Sequence, residues 1–372
     1  MSTPPSEAGA APAAGWALAA AAFDALRSLP ALPPGHRARG PHGHRYVAQA
    51  RQALGALPAG CAVSDLGAAL QAAIADWDYA DLDSRLPQAP QGRGDAALAG
   101  LLAARLGAGT QAWIQSTPDQ GAGVAPGADG HPAESWRRYR FEAAHRLPYV
   151  PEGHKCGRMH GHSFDAVPVI GCALEDVAAH ARLDTAWAPL AAKLEQHCLN
   201  DIPGLDNPTS ENLAAWLYAA LQPALPTLRR VLVFETASCG ACHADGRTRI
   251  WKDLPFDSAT RLPAAGGALA RLHGHSYTLR LHLEGALDER AGWVVDFGAV
   301  KQAVAALYQR LDHHPLHELP ELEQADTARL AAWIESRAAA SLPQLGGVEL
   351  LQTPGCGALR HPAAPAPLPL TL

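Results

Sequence analysis

Residues Pro151 to His162, PEGHKCGRMHGH, gather three histidines and one cysteine into a short stretch of an alanine-rich chain. Neutral imidazole is a good ligand for a borderline metal such as Zn²⁺, and a thiolate beside such a metal can act as a base. The tripeptide His-Gly-His recurs at His42 to His44 and at His273 to His275, and with 18 His in 372 residues three such tripeptides exceed chance. Side chains alternate faces along a strand, so His160 and His162 project to one side and a hairpin would set His145 beside them. Three imidazoles around one open position make a catalytic Zn²⁺ site. A lone His-x-His is more often an ordinary strand; His145 and Cys156 in the same stretch favour the metal.

The elements that must position these groups come in repeated form. FDALRSLPALPPGHRARGPHGH from Phe23 aligns without gaps on FEAAHRLPYVPEGHKCGRMHGH from Phe141, and FDSATRLPAAGGALARLHGH from Phe256 follows with two residues deleted. LEQHCLNDIPGLDNPTSENLAAWL from Leu194 likewise aligns on LDHHPLHELPELEQADTARLAAWI from Leu311. HSFDAVPVIG and HSYTLRLHLEG alternate as strands do, whereas ENLAAWLYAAL and VKQAVAALYQRL carry apolar residues at helical spacing, so the class is α+β. Each copy closes on a strand-like segment at Trp113, Val231 or Val348. Ser116 to Glu134, STPDQGAGVAPGADGHPAE, reads as a turn and linker, which divides the chain into 1–130, 131–246 and 247–372.

Composition narrows the partners. A net charge of -6 offers no field for nucleic acid or an anionic membrane, so the expected partner is a small molecule whose charge is met locally. No long uncharged apolar run occurs, and MSTPPSEAGA lacks the basic start of a secretory signal, which predicts a cytoplasmic protein. Seven Cys without a regular framework read as reduced thiols.

FEAAHRLPYVPEGHKCGRMHGHSF, GWVVDFGAVKQAVAALYQRLDHH, LNDIPGLDNPTSENLAAWL and VFETASCGA resemble segments of the 6-carboxytetrahydropterin synthase and 6-pyruvoyltetrahydropterin synthase family. The resemblance covers most of residues 137 to 357, with the first 115 residues a fainter third copy. It implies the tunnelling fold, in which units of four antiparallel strands and two helices associate in threes; here three tandem repeats in one chain would close one barrel. It also implies two barrels stacked face to face, a homodimer of pseudo-trimeric chains.

The copies depart from the family in complementary ways. The second matches the family's zinc ligands at His145, His160 and His162, its catalytic cysteine at Cys156 and its pterin-anchoring glutamate at Glu235, but has Glu195 and Gln196 where the family has an Asp-His dyad. The third has that dyad, Asp312 and His313, but carries Thr260, Leu269 and Gln352 at the first zinc histidine, the cysteine and the glutamate. The first has Arg27, Ala38, Tyr79 and Ser116 at the histidine, cysteine, dyad histidine and glutamate positions and is read as a structural filler. In the family the dyad reaches the metal from a neighbouring unit, so the second and third copies together would assemble one working site.

The implied reaction is zinc-dependent conversion of 7,8-dihydroneopterin triphosphate to 6-carboxy-5,6,7,8-tetrahydropterin, with loss of triphosphate and acetaldehyde, in the queuosine precursor pathway. Cys156, flanked by Lys155 and Arg158, which are also assigned to substrate binding, would be a thiolate base of lowered pKa, His313 oriented by Asp312 would shuttle protons, and Glu235 would take two hydrogen bonds from the pterin edge. Thr209 and Glu211 fall near the family's pterin pocket, or are simply the N-cap and first-turn acid of a helix. Alternatives are 6-pyruvoyltetrahydropterin synthase activity or a non-catalytic pterin-binding relative. CGACH, Cys239 to His243, also fits the c-type haem pattern, against which the missing export signal stands.

Overall fold

A computed structural model describes residues 15–56, 61–86, 92–124 and 129–360. The first 130 residues contribute β1 (Gly15–Arg27), β2 (His42–Ala53), α1 (Ala62–Ile74), the two-residue β3 (Ala80–Asp81), the single turn α2 (Leu82–Arg85), α3 (Asp95–Leu106), β4 (Gln111–Thr117) and β5 (Gln120–Val124). Next come β6 (Ala133–Arg137), β7 (Tyr139–His145), β8 (His160–Cys172), α4 (Ala179–Leu194), β9 (His197–Cys198), α5 (Ser210–Leu221), β10 (Leu228–Thr236) and β11 (Cys239–Ala244). The last set is β12 (Arg247–Thr260), β13 (His273–Glu284), α6 (Phe297–Ala303), α7 (Ala305–Leu311), α8 (Thr327–Ala338), β14 (Leu345–Thr353) and β15 (Cys356–Arg360).

Both β6 and β7 pair antiparallel with β8 in one unbroken register, Trp136 opposite Val169 and Tyr139 opposite Ala166, so they act as one long strand interrupted at Arg138. With β10 pairing β8, the ladder β8-β10-β11-β12-β13-β14-β15-β1-β2-β4-β5-β6 returns to its start. The result is a closed antiparallel barrel of twelve strands, four from each copy, with no long free edge. Alternation splits each strand between two environments. Ala112 and Ile114 pack outward against α1 and α3, while Trp113 lies in a separate inner cluster with Trp136, Val169, Phe234 and Trp251. Buried Arg280 pairs there with Asp253 at 2.7 and 2.8 Å, and buried Arg230 with Glu134 at 2.6 Å.

One reading of the sequence needs correction. Within the segment read as turn and linker, β5 is a full barrel strand paired with β4 and β6. Its glycines are needed for space: a Cβ on Gly123 would stand 2.0 Å from the Trp113 ring, and one on Gly121 2.6 Å from the Ile114 carbonyl. With β5 here, and β11 and β15 in the other copies, each copy supplies the four strands that the resemblance implies. CGACH is likewise barrel wall, most of β11, where residues three apart such as Cys239 and Cys242 face opposite sides and cannot both hold one haem.

Among the described residues no helix is long and apolar enough to cross a membrane.

Candidate metal and catalytic site

The hairpin of β7 and β8 sets His145 directly opposite His160, with His162 two residues along on the same face. Ring centroids lie 4.5 Å apart for His145 and His160, 5.2 Å for His145 and His162 and 5.0 Å for His160 and His162. Gly161 lets this happen at close quarters, since a Cβ there would stand 3.3 Å from the Ala143 carbonyl across the pair. Glu235, at the end of β10, completes a group of four donors whose ligand atoms all lie within 4.8 Å of one another.

The tautomers suit a metal. His145 Nδ1 donates to the Pro208 carbonyl at 3.0 Å and His160 Nδ1 to the Arg158 carbonyl at 2.8 Å. A ring that donates from Nδ1 presents an Nε2 lone pair, and the Nε2 of fully buried His145 has no hydrogen-bond partner. An orphaned buried nitrogen facing two further imidazoles fits a tetrahedral cation such as Zn²⁺, whose ligands stand about 3.4 Å apart, after a small inward closure. Glu235 Oε1 lies 3.3 Å from His162 Nε2 and 3.8 Å from His145 Nε2, and its Oε2 accepts from Ser210 Oγ at 2.5 Å. Burial works against its charge, yet hydrogen bonds from His162 and Ser210 hold its carboxyl below the usual carboxylate range.

Cys156 sits half-buried in a single 3-10 turn, Lys155–Gly157, on the loop between β7 and β8. His154 Nδ1 accepts the Cys156 backbone N–H at 3.2 Å, while His154 Nε2 faces Asp296 Oδ2 at 3.4 Å. The expected lowering of this thiol's pKa is not produced by the protein groups. Burial first, and the negative charges of Glu235 and Asp296, push it up against the pull of Lys155. Lys155 and Arg158 are both exposed.

Thr209 is the N-cap of α5, accepting from Asn212 N at 3.2 Å, so the local reading of that residue holds. It does more, because its hydroxyl donates to the Gly292 carbonyl at 2.8 Å. Asn207 Nδ2 donates to the Ala291 carbonyl at 2.8 Å, and Val294 N donates to Glu211 Oε1 at 3.0 Å. Residues 207–211 thus clamp the loop before α6, a contact between the second and third copies that no local motif announces. Burial pushes the Glu211 carboxyl up to about 7.

Asp312 and His313 follow α7, with His313 Nδ1 3.0 Å from Asp312 Oδ1. The backbone N–H of Asp257, donated to Asp312 at 3.0 Å, and His313 beside it hold the Asp312 carboxyl below its ordinary value. The His313 side chain is 77% exposed, free to meet a ligand. Strand order decides which copy's histidines it faces. One edge of β12 is taken by β13 along its length, so the bridge between Ala259 and Pro315 lies on the other edge, the β11 side. On that edge β11 ends at the turn after Glu235, where Asp253 N donates to the Ser238 carbonyl. His313 is held four residues farther along, by its amide on the Asp257 carbonyl, about 13 Å up the strand. The dyad of the third copy is therefore on the side of the second copy's His145, His160, His162 and Glu235. By the same geometry Gln196, whose amide is on Glu142, faces the first copy.

Comparison with known proteins follows the same division. The family model described as 6-pyruvoyl tetrahydropterin synthase matches residues 134–245 and again 249–362, together more than half of the chain. A 6-carboxy-5,6,7,8-tetrahydropterin synthase of Synechocystis sp. is 40% identical over 122 residues, covering 30% of this chain and 93% of that protein. A dihydroneopterin monophosphate aldolase of Pyrococcus furiosus is 34% identical over 79 residues, covering 21% of this chain and 64% of that protein. Among solved structures, 6-pyruvoyl tetrahydropterin synthase of Caenorhabditis elegans is 19% identical, covers 30% of this chain and 92% of its own, and has a TM-score of 0.28.

Proposed function

The chain belongs to the 6-pyruvoyl tetrahydropterin synthase family, and from that premise we propose that it is a zinc-dependent lyase of the 6-carboxytetrahydropterin type with one composite active site per chain. The substrates are 7,8-dihydroneopterin triphosphate and one water, and the products are 6-carboxy-5,6,7,8-tetrahydropterin, acetaldehyde and triphosphate, a step toward queuosine. The observation that carries this reading is the complementary placement of the cluster on β7, β8 and β10 and the dyad beside β12. The similarity to a relative named 6-carboxy-5,6,7,8-tetrahydropterin synthase supports the choice of product.

His145, His160 and His162 would hold Zn²⁺, which when bound supplies a Lewis acid that acidifies substrate hydroxyls and draws down nearby thiol pKa values. Glu235, kept ionised by the hydrogen bond from Ser210, offers a carboxylate that accepts two parallel hydrogen bonds from the ring edge of a pterin and so fixes its orientation. Cys156, pinned through its amide by His154, is placed to take a side-chain proton once a cation offsets Glu235. His313, with Nδ1 held by Asp312, presents Nε2 to accept and return protons during side-chain cleavage. Thr209 and Glu211 position the pocket wall by tying α5 to the loop at Gly292.

The test is to incubate the purified, zinc-loaded chain with 7,8-dihydroneopterin triphosphate and identify the products by mass spectrometry. Release of acetaldehyde with 6-carboxytetrahydropterin is the expected result. A 6-pyruvoyl product would reassign the branch, and absence of any turnover would overturn the enzymatic reading.

A further inference from the structure

The three-fold repeat creates two more places equivalent to the composite site, and they have met different fates. Between the third and first copies, Thr260, His273, His275 and Gln352 meet Cys61 and Ser64 around a space of only about 30 Å³. Thr327 closes it by donating its hydroxyl to Gln352. Between the first and second copies a cavity of about 590 Å³ remains open, in the size range of a small-molecule site. Loss of function alone would not keep one space open, fill the other and re-line the open one with cations.

The re-lining is specific. Arg27 stands opposite His42 in the register of β1 and β2, as His145 stands opposite His160. It therefore stands at the place of His145, a fixed cation where the second copy has an imidazole. It is 2% exposed, with Nη1 2.8 Å from Asp95 Oδ1 and 2.8 Å from the Arg93 carbonyl that accepts its hydrogen bond. The serine and carboxylate that hold the second copy's anchor have changed places. There Ser210 on the helix donates to Glu235 on the strand, whereas here Ser116 on β4 donates to Asp95 on α3 at 2.6 Å. The carboxylate that would receive a pterin edge is thereby gone, and the one that replaces it is turned onto Arg27. Arg27 Nε is buried without a hydrogen-bond partner, a donor left for something else.

Charge and shape then define the occupant. Asp95 offsets Arg27, and Asp184 offsets Arg137 across the cavity at 2.9 Å. Arg37, at the exposed mouth, carries no salt bridge among the described residues, so the lining holds an uncompensated positive charge. Half-buried His42 also lines the cavity, its ring fixed by Nδ1 donating to the Gly40 carbonyl at 2.9 Å. Leu29, Leu32, Val177 and Ala181 supply an apolar wall. We infer that this cavity is a second, non-catalytic ligand site for a small organic anion, a carboxylate or phosphate monoester carried on an apolar body. Chemistry is absent because Ala38 replaces the cysteine and Gln196 stands where the third copy has the dyad histidine. This inference does not depend on what the composite site catalyses.

The test is isothermal titration of the full chain with phenyl phosphate, benzoate and the neutral benzamide. At least one of the two anions should bind with one site per chain, and benzamide at least tenfold more weakly; which anion binds tighter assigns phosphate or carboxylate. Binding should persist in the His160→Ala/His162→Ala variant, which removes the other site, and fall at least tenfold in Arg27→Gln. Because Arg27 is buried, the accessible pair Arg37→Ala/His42→Ala provides a second measure and should also lose at least tenfold. Absence of binding by both anions, equal binding of benzamide, loss in His160→Ala/His162→Ala, or unchanged binding in Arg37→Ala/His42→Ala would each overturn the assignment.

Discussion

The amide of His313 donates to the carbonyl of Asp257 at 2.7 Å, and to do so His313 adopts a φ of +58°, the left-handed region that non-glycine residues avoid. The same bond at the same length joins Gln196 to Glu142 and Tyr79 to Asp24, with φ of +56° and +53°. The strained conformation is thus a property of the fold at this corner, kept in all three copies, and only in the third does it present an imidazole. His313→Ala and Cys156→Ala should each lower turnover at least a thousandfold without loss of fold or zinc. The double variant should be little worse than either, as for groups acting in one catalytic unit. Steady-state rates with a circular dichroism control check this. If His197→Ala loses turnover while His313→Ala keeps it, the proton shuttle resides in the second copy instead.

One zinc per chain should be found by elemental analysis, and none in His160→Ala/His162→Ala. Among the described residues only the second copy combines three imidazoles on one face; Arg27 and Thr260 stand at the place of His145 in the others. Two or three tightly held ions per chain would contradict this.

How much of this was legible beforehand can be judged from particular residues. The alternation of His160 and His162 and the recurrence of the Phe141 segment at Phe23 and Phe256 carried the histidine cluster and the repeated barrel, because strand period and duplication are local patterns. The strand β5 was missed because Gly121 and Gly123 look like linker in sequence, while in space they make room for Trp113 and Trp136. Nothing local indicates that Asp95 and Ser116 exchange the roles of Glu235 and Ser210, since the pairing joins a helix to a strand. Which neighbour receives the dyad follows from strand order alone, a global property.

Gly292 should tolerate no side chain. Its φ is +71°, and a Cβ would lie 2.7 Å from Asn207 Nδ2 and 2.8 Å from Asn212 Nδ2, inside the clamp between the second and third copies. Gly292→Ala is expected to cost about 1–3 kcal/mol, from the backbone conformation and the displaced amides together. Chemical denaturation measures this, and an unchanged midpoint would show the clamp to be slack.

Because one chain closes a whole twelve-strand barrel, no assembly of three chains is required to complete it. Sedimentation should give the mass of two chains stacked face to face, the arrangement that closed symmetry favours. A mass of three or six chains would mean that the barrel is opened and shared.

Glu211 should make the protein lose stability as pH rises. Its folded pKa, about 7 against an ordinary 4.5, means that between those values the native state holds a proton the unfolded chain has released. Stability from this group is therefore intact below about pH 4.5 and declines through neutrality, reaching its full loss above pH 7. At about 1.4 kcal/mol per unit the whole effect is on the order of 3 kcal/mol. Glu211→Gln keeps an oxygen to accept from Val294 N and cannot ionise, so its stability relative to the unsubstituted protein should be similar or lower at pH 4.5 and higher at pH 8. Urea unfolding of both proteins across that range decides it: parallel profiles would show that the buried carboxyl ionises at its ordinary pH.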